Sequence, residues 1–206
     1  MDRAVLPATT RRGRDTRAGL LAAARTVFER DGYVDARITD IAVEAGVAHG
    51  TFYAHFRSKP EVFLAVMADL WSTLLLDPGA TQGSPYQRVL ASNRRFLAGY
   101  RRHARLFAVV EQAATTNDEV RALRRQVHAD NAARVARAVA RWQREGVAAA
   151  DVPPQDAATA LVSMVGRAAY YWYVVGEPHT ADTEAETLTR LWIRGLGIAV
   201  PDQRER

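Results

Sequence analysis

Few side chains in this sequence have the types and spacing that covalent or metal chemistry requires. The five histidines, His49, His55, His103, His128 and His179, are scattered over different segments. The six-residue step from His49 to His55 does not put that pair on one helix face, which argues against a shared metal ion. There is no cysteine, so disulfides, thiolate zinc sites and cysteine nucleophiles are excluded. No H-E-x-x-H, G-x-S-x-G, phosphate-loop or dinucleotide fingerprint occurs. No catalytic or metal-ligating residue stands out, no cofactor is called for, and an enzyme is disfavoured. The chemistry that does cluster is recognition chemistry. In ITDIAVEAGVAHGTFYAHFRSK (38–59), the side chains of His49, Thr51, Tyr53 and His55 crowd into seven residues.

That cluster needs elements to hold it, and the local signals describe two short helices around a tight turn. Thr39 has the residue type of an N-cap, with Asp40 beside it where a helix start favours negative charge. Ile38 and Val43 have the spacing of a hydrophobic staple. Gly46 supplies the left-handed position that stops the first helix, and Val47 turns the chain into the second. This is the helix-turn-helix layout, whose second helix enters the DNA major groove.

The surrounding segments are helical as well. Leu20, Leu21, Ala24, Val27 and Phe28 recur at helical spacing from Asp15 to Arg30, and Asp31-Gly32 ends the run. This face is expected to pack on Ile41, Ala42, Ala45, Phe52 and Phe56, making a three-helix unit. Ser58 and Glu61 have capping-box spacing, with Pro60 in the first turn, so a fourth helix is expected from there to Leu74. Residues 1–17 read as a flexible basic arm, whose Arg11, Arg12 and Arg14 are placed to reach phosphates or the minor groove. DPGATQGSP (77–85) is a loop by composition. Beyond it lie five helical patterns, roughly 86–102, 104–114, 117–145, 154–175 and 183–200, and no strand-like alternation. The fold class expected is all-α, about nine helices: an arm over 1–17, a helix-turn-helix domain over 18–59 and a larger helical domain over 60–206.

Composition fits a soluble protein: 48% hydrophobic and 25% charged residues, net charge +5. The basic balance mildly favours an anionic partner such as nucleic acid. No apolar leader is visible and no uncharged apolar run approaches the ~18–20 residues that span a bilayer. A cytoplasmic protein without a membrane partner is expected.

With these residues assembled, the chain resembles the TetR family of bacterial transcriptional repressors. LLAAARTVFERDGY (20–33) and ITDIAVEAGVAHGTFYAHFRSKPEVF (38–63) follow the family pattern T-x-x-x-I-A-x-x-A-G-V, then G-x-[L/F]-Y-x-H/Y-F, then K-x-x-[L/V]. Two positions depart from it. The leading threonine aligns with Arg37, which leaves two possible helix starts, at Arg37 or at Thr39. Ala48 stands where the family often has a hydroxyl that caps the recognition helix.

The resemblance implies a homodimer that binds a palindromic DNA operator and releases it when a small-molecule effector, largely apolar, enters the C-terminal domain. It places Tyr53 and Lys59 on phosphates, and His49, Gly50, Thr51 and His55 on base edges or flanking phosphates. Arg37 and Thr39 are further phosphate candidates, and Ala48 can offer its methyl to a thymine. Gly50 would let the backbone approach the duplex. The implied ligand pocket draws on Asn93, Phe96, Tyr100, Phe107, Glu111, Trp142, Met164, Arg167 and Tyr171, with Arg94 and Gln112 as further polar anchors. The implied dimer interface draws on Leu161, Val165, Ala168 and Trp172 from one helix and Leu188, Leu191, Trp192 and Leu196 from the next. The same stripes could also form a monomeric core. The alternative from another class is a helical small-molecule-binding protein or enzyme without a DNA role.

Overall fold

The computed structural model describes residues 10–75 and 83–200. Among them there is no strand, and the helices are α1 (Arg11–Asp35), α2 (Ile38–Glu44), α3 (His49–Tyr53), α4 (Lys59–Leu75), α5 (Pro85–Arg102), α6 (Ala104–Thr116), α7 (Asp118–Arg144), α8 (Pro154–Tyr170) and α9 (Glu184–Gly195). A π-helical turn, Tyr171–Val175, follows α8 directly. The all-α expectation holds. Most of the loop expected over 77–85 lies outside the described residues, except that Pro85 already starts α5.

The chain divides into two compact units at Thr73/Leu74, Ala104/Arg105 and Arg124/Arg125. The first contains α1 to α3, nearly all of α4, and α6 with the start of α7. The boundary expected after Lys59 therefore falls inside this unit. Its core is the apolar face read from the sequence: Leu20, Val27, Phe28, Ile41, Phe52, Phe56, Val62 and Phe63 are all buried. Phe28 and Phe63 meet edge to face at 4.8 Å, and Tyr33 lies 4.8 Å from Phe63. These rings join the end of α1 to α4. Burial pushes the Tyr33 hydroxyl up from its ordinary pKa, opposed by the Asn117 amide, whose Nδ2 donates to it at 3.0 Å.

Local rules set the ends of the short helices. Gly46 adopts φ 64°, its N–H bonds Val43 O at 3.0 Å, and the Val47 N–H bonds Ala42 O at 3.0 Å. That pair of bonds is the Schellman closure, and only glycine enters the conformation without strain. At the start of α4, Ser58 Oγ accepts from the Glu61 N–H at 3.3 Å, while the Glu61 carboxylate accepts from the Arg57 N–H at 2.6 Å. The box expected at Ser58 and Glu61 thus closes one residue further upstream.

Three expectations about local structure are corrected. α1 starts at Arg11, with Thr10 accepting from the Gly13 N–H at 3.1 Å, so Arg11, Arg12 and Arg14 lie on a helix rather than in an arm. Residues 1–9 lie outside the described residues. Arg37, not Thr39, occupies the N-cap of α2, and the Thr39 hydroxyl turns to Asp40 at 3.4 Å. Val43 is 79% exposed, so no staple forms with Ile38. The reason is the shifted start: from an N-cap at Arg37, position N4 is Ile41, which is fully buried.

The second unit joins α5 to α8 and α9. Asn93 of α5 is buried, and its Nδ2 donates to Thr189 Oγ1 of α9 at 3.0 Å; that hydroxyl donates in turn to Ala185 O at 2.6 Å. Trp192 of α9 donates its indole N–H to Leu161 O of α8 at 3.1 Å. At the α8–α9 connection the Tyr173 hydroxyl donates to Glu184 Oε1 at 2.6 Å, and His179 stacks on Trp172 at 5.0 Å. Burial, reinforced by the Glu184 carboxylate, pushes the Tyr173 hydroxyl well up from its ordinary range.

Candidate nucleic-acid interface

The turn between α2 and α3 presents a continuous exposed edge. Arg37, Thr39, Ala48, His49 and Gly50 are exposed, Thr51 and His55 are half-buried, and Tyr53 is 47% exposed. Tyr53 is therefore not a core residue. Its ring lies 5.3 Å from His49, edge on, and 5.5 Å from the buried Phe52. The ring is thus braced against the buried Phe52 while about half of the residue stays exposed. α3 ends at Tyr53, so His55 follows the helix instead of riding on it.

Neither α2 nor α3 has a side-chain cap at its start, because Arg37 and Ala48 hold those positions. Their first amide N–H groups are left for water or for the acceptors of a ligand. Arg11 and Arg12 stand in the first turn of α1, which has no acidic residue. Cations at a helix start oppose the macrodipole, and a nearby anion would relieve that opposition.

Gly50 has no packing reason to be glycine. A Cβ built there meets nothing within 4 Å, and its φ is not positive. Glycine inside a helix costs about 0.5–1 kcal/mol relative to alanine. Gly50→Ala is thus expected to raise stability by that amount in urea denaturation while weakening binding to duplex DNA. Unchanged DNA affinity would show that no ligand backbone comes close here.

Lys59 departs most from expectation. Its ammonium donates to three carbonyls at and just past the end of α1, Tyr33 O at 2.8 Å, Val34 O at 3.0 Å and Ala36 O at 3.0 Å. It also sits 5.1 Å from the centre of the Tyr33 ring. An ammonium has three donors, and all are used within the chain. These bonds tie the start of α4 to the end of α1 and the residue after it. Sequence spacing held no sign of them, since the partners lie 23 to 26 residues upstream.

Several of the residues expected to line a pocket have partners of their own within one unit. Asn93 is spent on Thr189. Glu111 pairs with Arg124 at 2.7 Å, and Phe107 meets Trp71 at 5.0 Å. Trp142 is buried, with Arg88 5.9 Å from its ring centre. Arg167 lies over Tyr170 and Tyr171 at 5.2 and 5.3 Å. Phe96 and Tyr100 do come together, at 5.7 Å, and Tyr173 adds a third ring 6.3 Å from Tyr100. Met164 of α8 is half-buried. A charged cleft of about 150 Å³ lies beside Arg94, Arg101, Asp182, Glu184 and Glu186. Arg94 is ion-paired to Glu186 there.

The expected dimer stripes also divide. Val165, Leu188, Trp192 and Leu196 are buried within the chain, whereas Leu191 (51%), Tyr171 (38%) and Val175 (52%) are exposed. Leu161, Ala168 and Trp172 are half-buried. The outer face is therefore narrower than the sequence stripe and shifted towards the π-helical turn.

Two family profiles match separate stretches of the chain. The profile of the bacterial regulatory proteins of the tetR family matches residues 20–66. The profile of the C-terminal domain of the transcriptional regulator EthR matches residues 90–196, more than half of the chain. The chain belongs to the TetR family. TetR-family proteins are DNA-binding transcriptional regulators with a helix-turn-helix, not enzymes. EthR from Mycobacterium tuberculosis is 25% identical over 192 residues, covering 89% of this chain and 88% of that protein. The regulator TtgW from Pseudomonas putida is 41% identical over 69 residues, 34% of this chain and 52% of that protein. That match spans only about half the relative's length. Among solved structures, NalD of Pseudomonas aeruginosa, the secondary repressor of the MexAB-OprM multidrug efflux pump, superposes with a TM-score of 0.71 at 22% identity, covering 89% of this chain and 97% of that one. No helix among the described residues is long and apolar enough to cross a membrane.

Proposed function

We propose that this TetR-family regulator is a cytoplasmic homodimeric repressor that holds a palindromic operator and releases it on binding a largely apolar small molecule. The observation that carries the DNA half is the exposed edge from Ala48 to Tyr53, which packing inside the chain does not explain. His49 and Thr51 read base edges. Tyr53, Arg37 and Thr39 hold phosphates, joined by Arg11, Arg12 and Arg14 from the start of α1, with His55 flanking and the Ala48 methyl against a base. A two-fold reader needs two such helices one duplex turn apart, about 34–36 Å. Leu191, Tyr171 and Val175 offer the apolar contact that joins the copies. In the second unit the ring cluster Phe96, Tyr100 and Tyr173 supports an apolar effector, and the similarity to a repressor supports the sign of regulation.

Gel shifts with the full chain on the DNA flanking its own gene, across a salt series, test this reading. A specific site is expected, with affinity falling steeply as salt rises. His49→Ala should change which base pairs are preferred, each contact being worth ~1–3 kcal/mol. Equal affinity for all duplexes would overturn the operator reading, and a monomer in light scattering at micromolar concentration would overturn the two-fold one.

A further inference from the structure

We propose that Arg17 is a phosphate-binding residue of the headpiece, held ready for DNA by the face of the Phe56 ring; this deepens the DNA-binding reading and rests on it. Arg17 lies in the second turn of α1 and is exposed. Its guanidinium carbon sits 4.8 Å from the centre of the Phe56 ring. Phe56 is 1% exposed and lies just past α3, with its ring 5.8 Å from that of Phe52 inside the helix. The cation is thus tied to the same ring cluster that braces Tyr53. Among the described residues no acceptor takes a hydrogen bond from this guanidinium and no carboxylate pairs with it.

Attraction of a cation to a ring face uses none of the guanidinium N–H donors, which stay open. Those donors form a fork that fits two phosphate oxygens at once. The ring also restricts the side chain before any ligand arrives, so less freedom is lost on binding. A phosphate gripped there joins α1 to the end of the recognition helix. Such a contact fixes how α3 enters the groove without reading sequence.

The test uses the full chain, a short mixed-sequence duplex and fluorescence anisotropy over a salt series. Arg17→Gln removes the charge and keeps a planar polar end. It is expected to reduce the slope of log affinity against log salt by about 0.9 for each Arg17 that grips a phosphate. It should weaken a specific site and the mixed duplex by the same several-fold factor. Arg17→Lys should keep most of the slope while losing several-fold in affinity, because an ammonium is a point charge and cannot offer the fork. Melting curves fix the temperature at which both variants are fully folded, so slopes are compared between folded proteins. An Arg17→Gln slope equal to that of the wild type would overturn the inference, leaving Arg17 as a cover for the Phe56 ring. A wild-type protein with no salt-dependent duplex affinity would overturn the DNA-binding reading itself, and this inference with it.

Discussion

Lys59→Met is expected to cost about 2–4 kcal/mol of folding stability, a large effect for a half-exposed residue. The magnitude follows from what the ammonium holds. Hydrogen bonds to charged groups contribute about 1.5–3 kcal/mol each when shielded from water. Here two of the three bonds, to Tyr33 O and Ala36 O, are part-buried and the third, to Val34 O, is exposed. Solvent competition lowers the sum, and the loss of carbonyl partners where α1 gives way to α2 raises it. Methionine keeps the stem and its packing, so the loss isolates the donors. Arginine should rescue little, because a planar fork cannot point donors at three converging carbonyls. It is telling that the chain has 28 basic residues and its only lysine stands here. A urea midpoint shift at unchanged slope measures the effect. A loss below about 0.5 kcal/mol would mean that water replaces the ammonium without cost. Below its unfolding transition, the same variant is expected to keep the wild-type salt slope on duplex DNA if the three intrachain bonds hold the ammonium in the complex as well.

Thr189→Val carries the second large effect. The swap conserves shape but removes the acceptor of the buried Asn93 amide, whose donor then has no partner. Leaving a buried donor unsatisfied costs about 1–3 kcal/mol. For a chain of this size that corresponds to a fall in Tm of roughly 2–4 °C per kcal/mol. The bond is also a buried polar link between α5, which carries Phe96 and Tyr100, and α9. Making Asn93 apolar as well should restore much of the loss, because apolar groups in both places leave no stranded donor. In a double-mutant cycle with Asn93→Val, the two changes are therefore expected to be strongly non-additive. Simple additivity would show that the two side chains do not depend on each other. Asn93 then acts as a lock between α5 and α9.

Much of the headpiece is written in local rules. Gly46 stops α2 because of its own φ, and Ser58 with Glu61 opens α4 through bonds that span three and four residues. The apolar spacing of Leu20, Val27 and Phe28 already names the face that becomes buried. Short-range signals of this kind survive in any tertiary context, so the helix-turn-helix and the order of the helices were legible from the residues. Signals that conflicted locally misled: arginines crowd the start of α1 and hid the Thr10 cap, and a threonine at position 39 outbid Arg37 on residue type alone.

The α-helical class, the order of the helices and the two short helices around Gly46 are thus determined by the sequence itself. Only the tertiary structure decided the roles of the polar residues that meet across long stretches of chain. Lys59 finds its carbonyls more than twenty residues upstream, and Asn93 finds Thr189 96 residues away. It also decided which half of an apolar stripe is core, burying Leu188 and Trp192 while leaving Leu191 half outside. The physical reason is the same in both cases. A periodic pattern fixes which residues share a face, but burial and hydrogen-bond partners depend on what packs against that face, and no spacing within one helix encodes it.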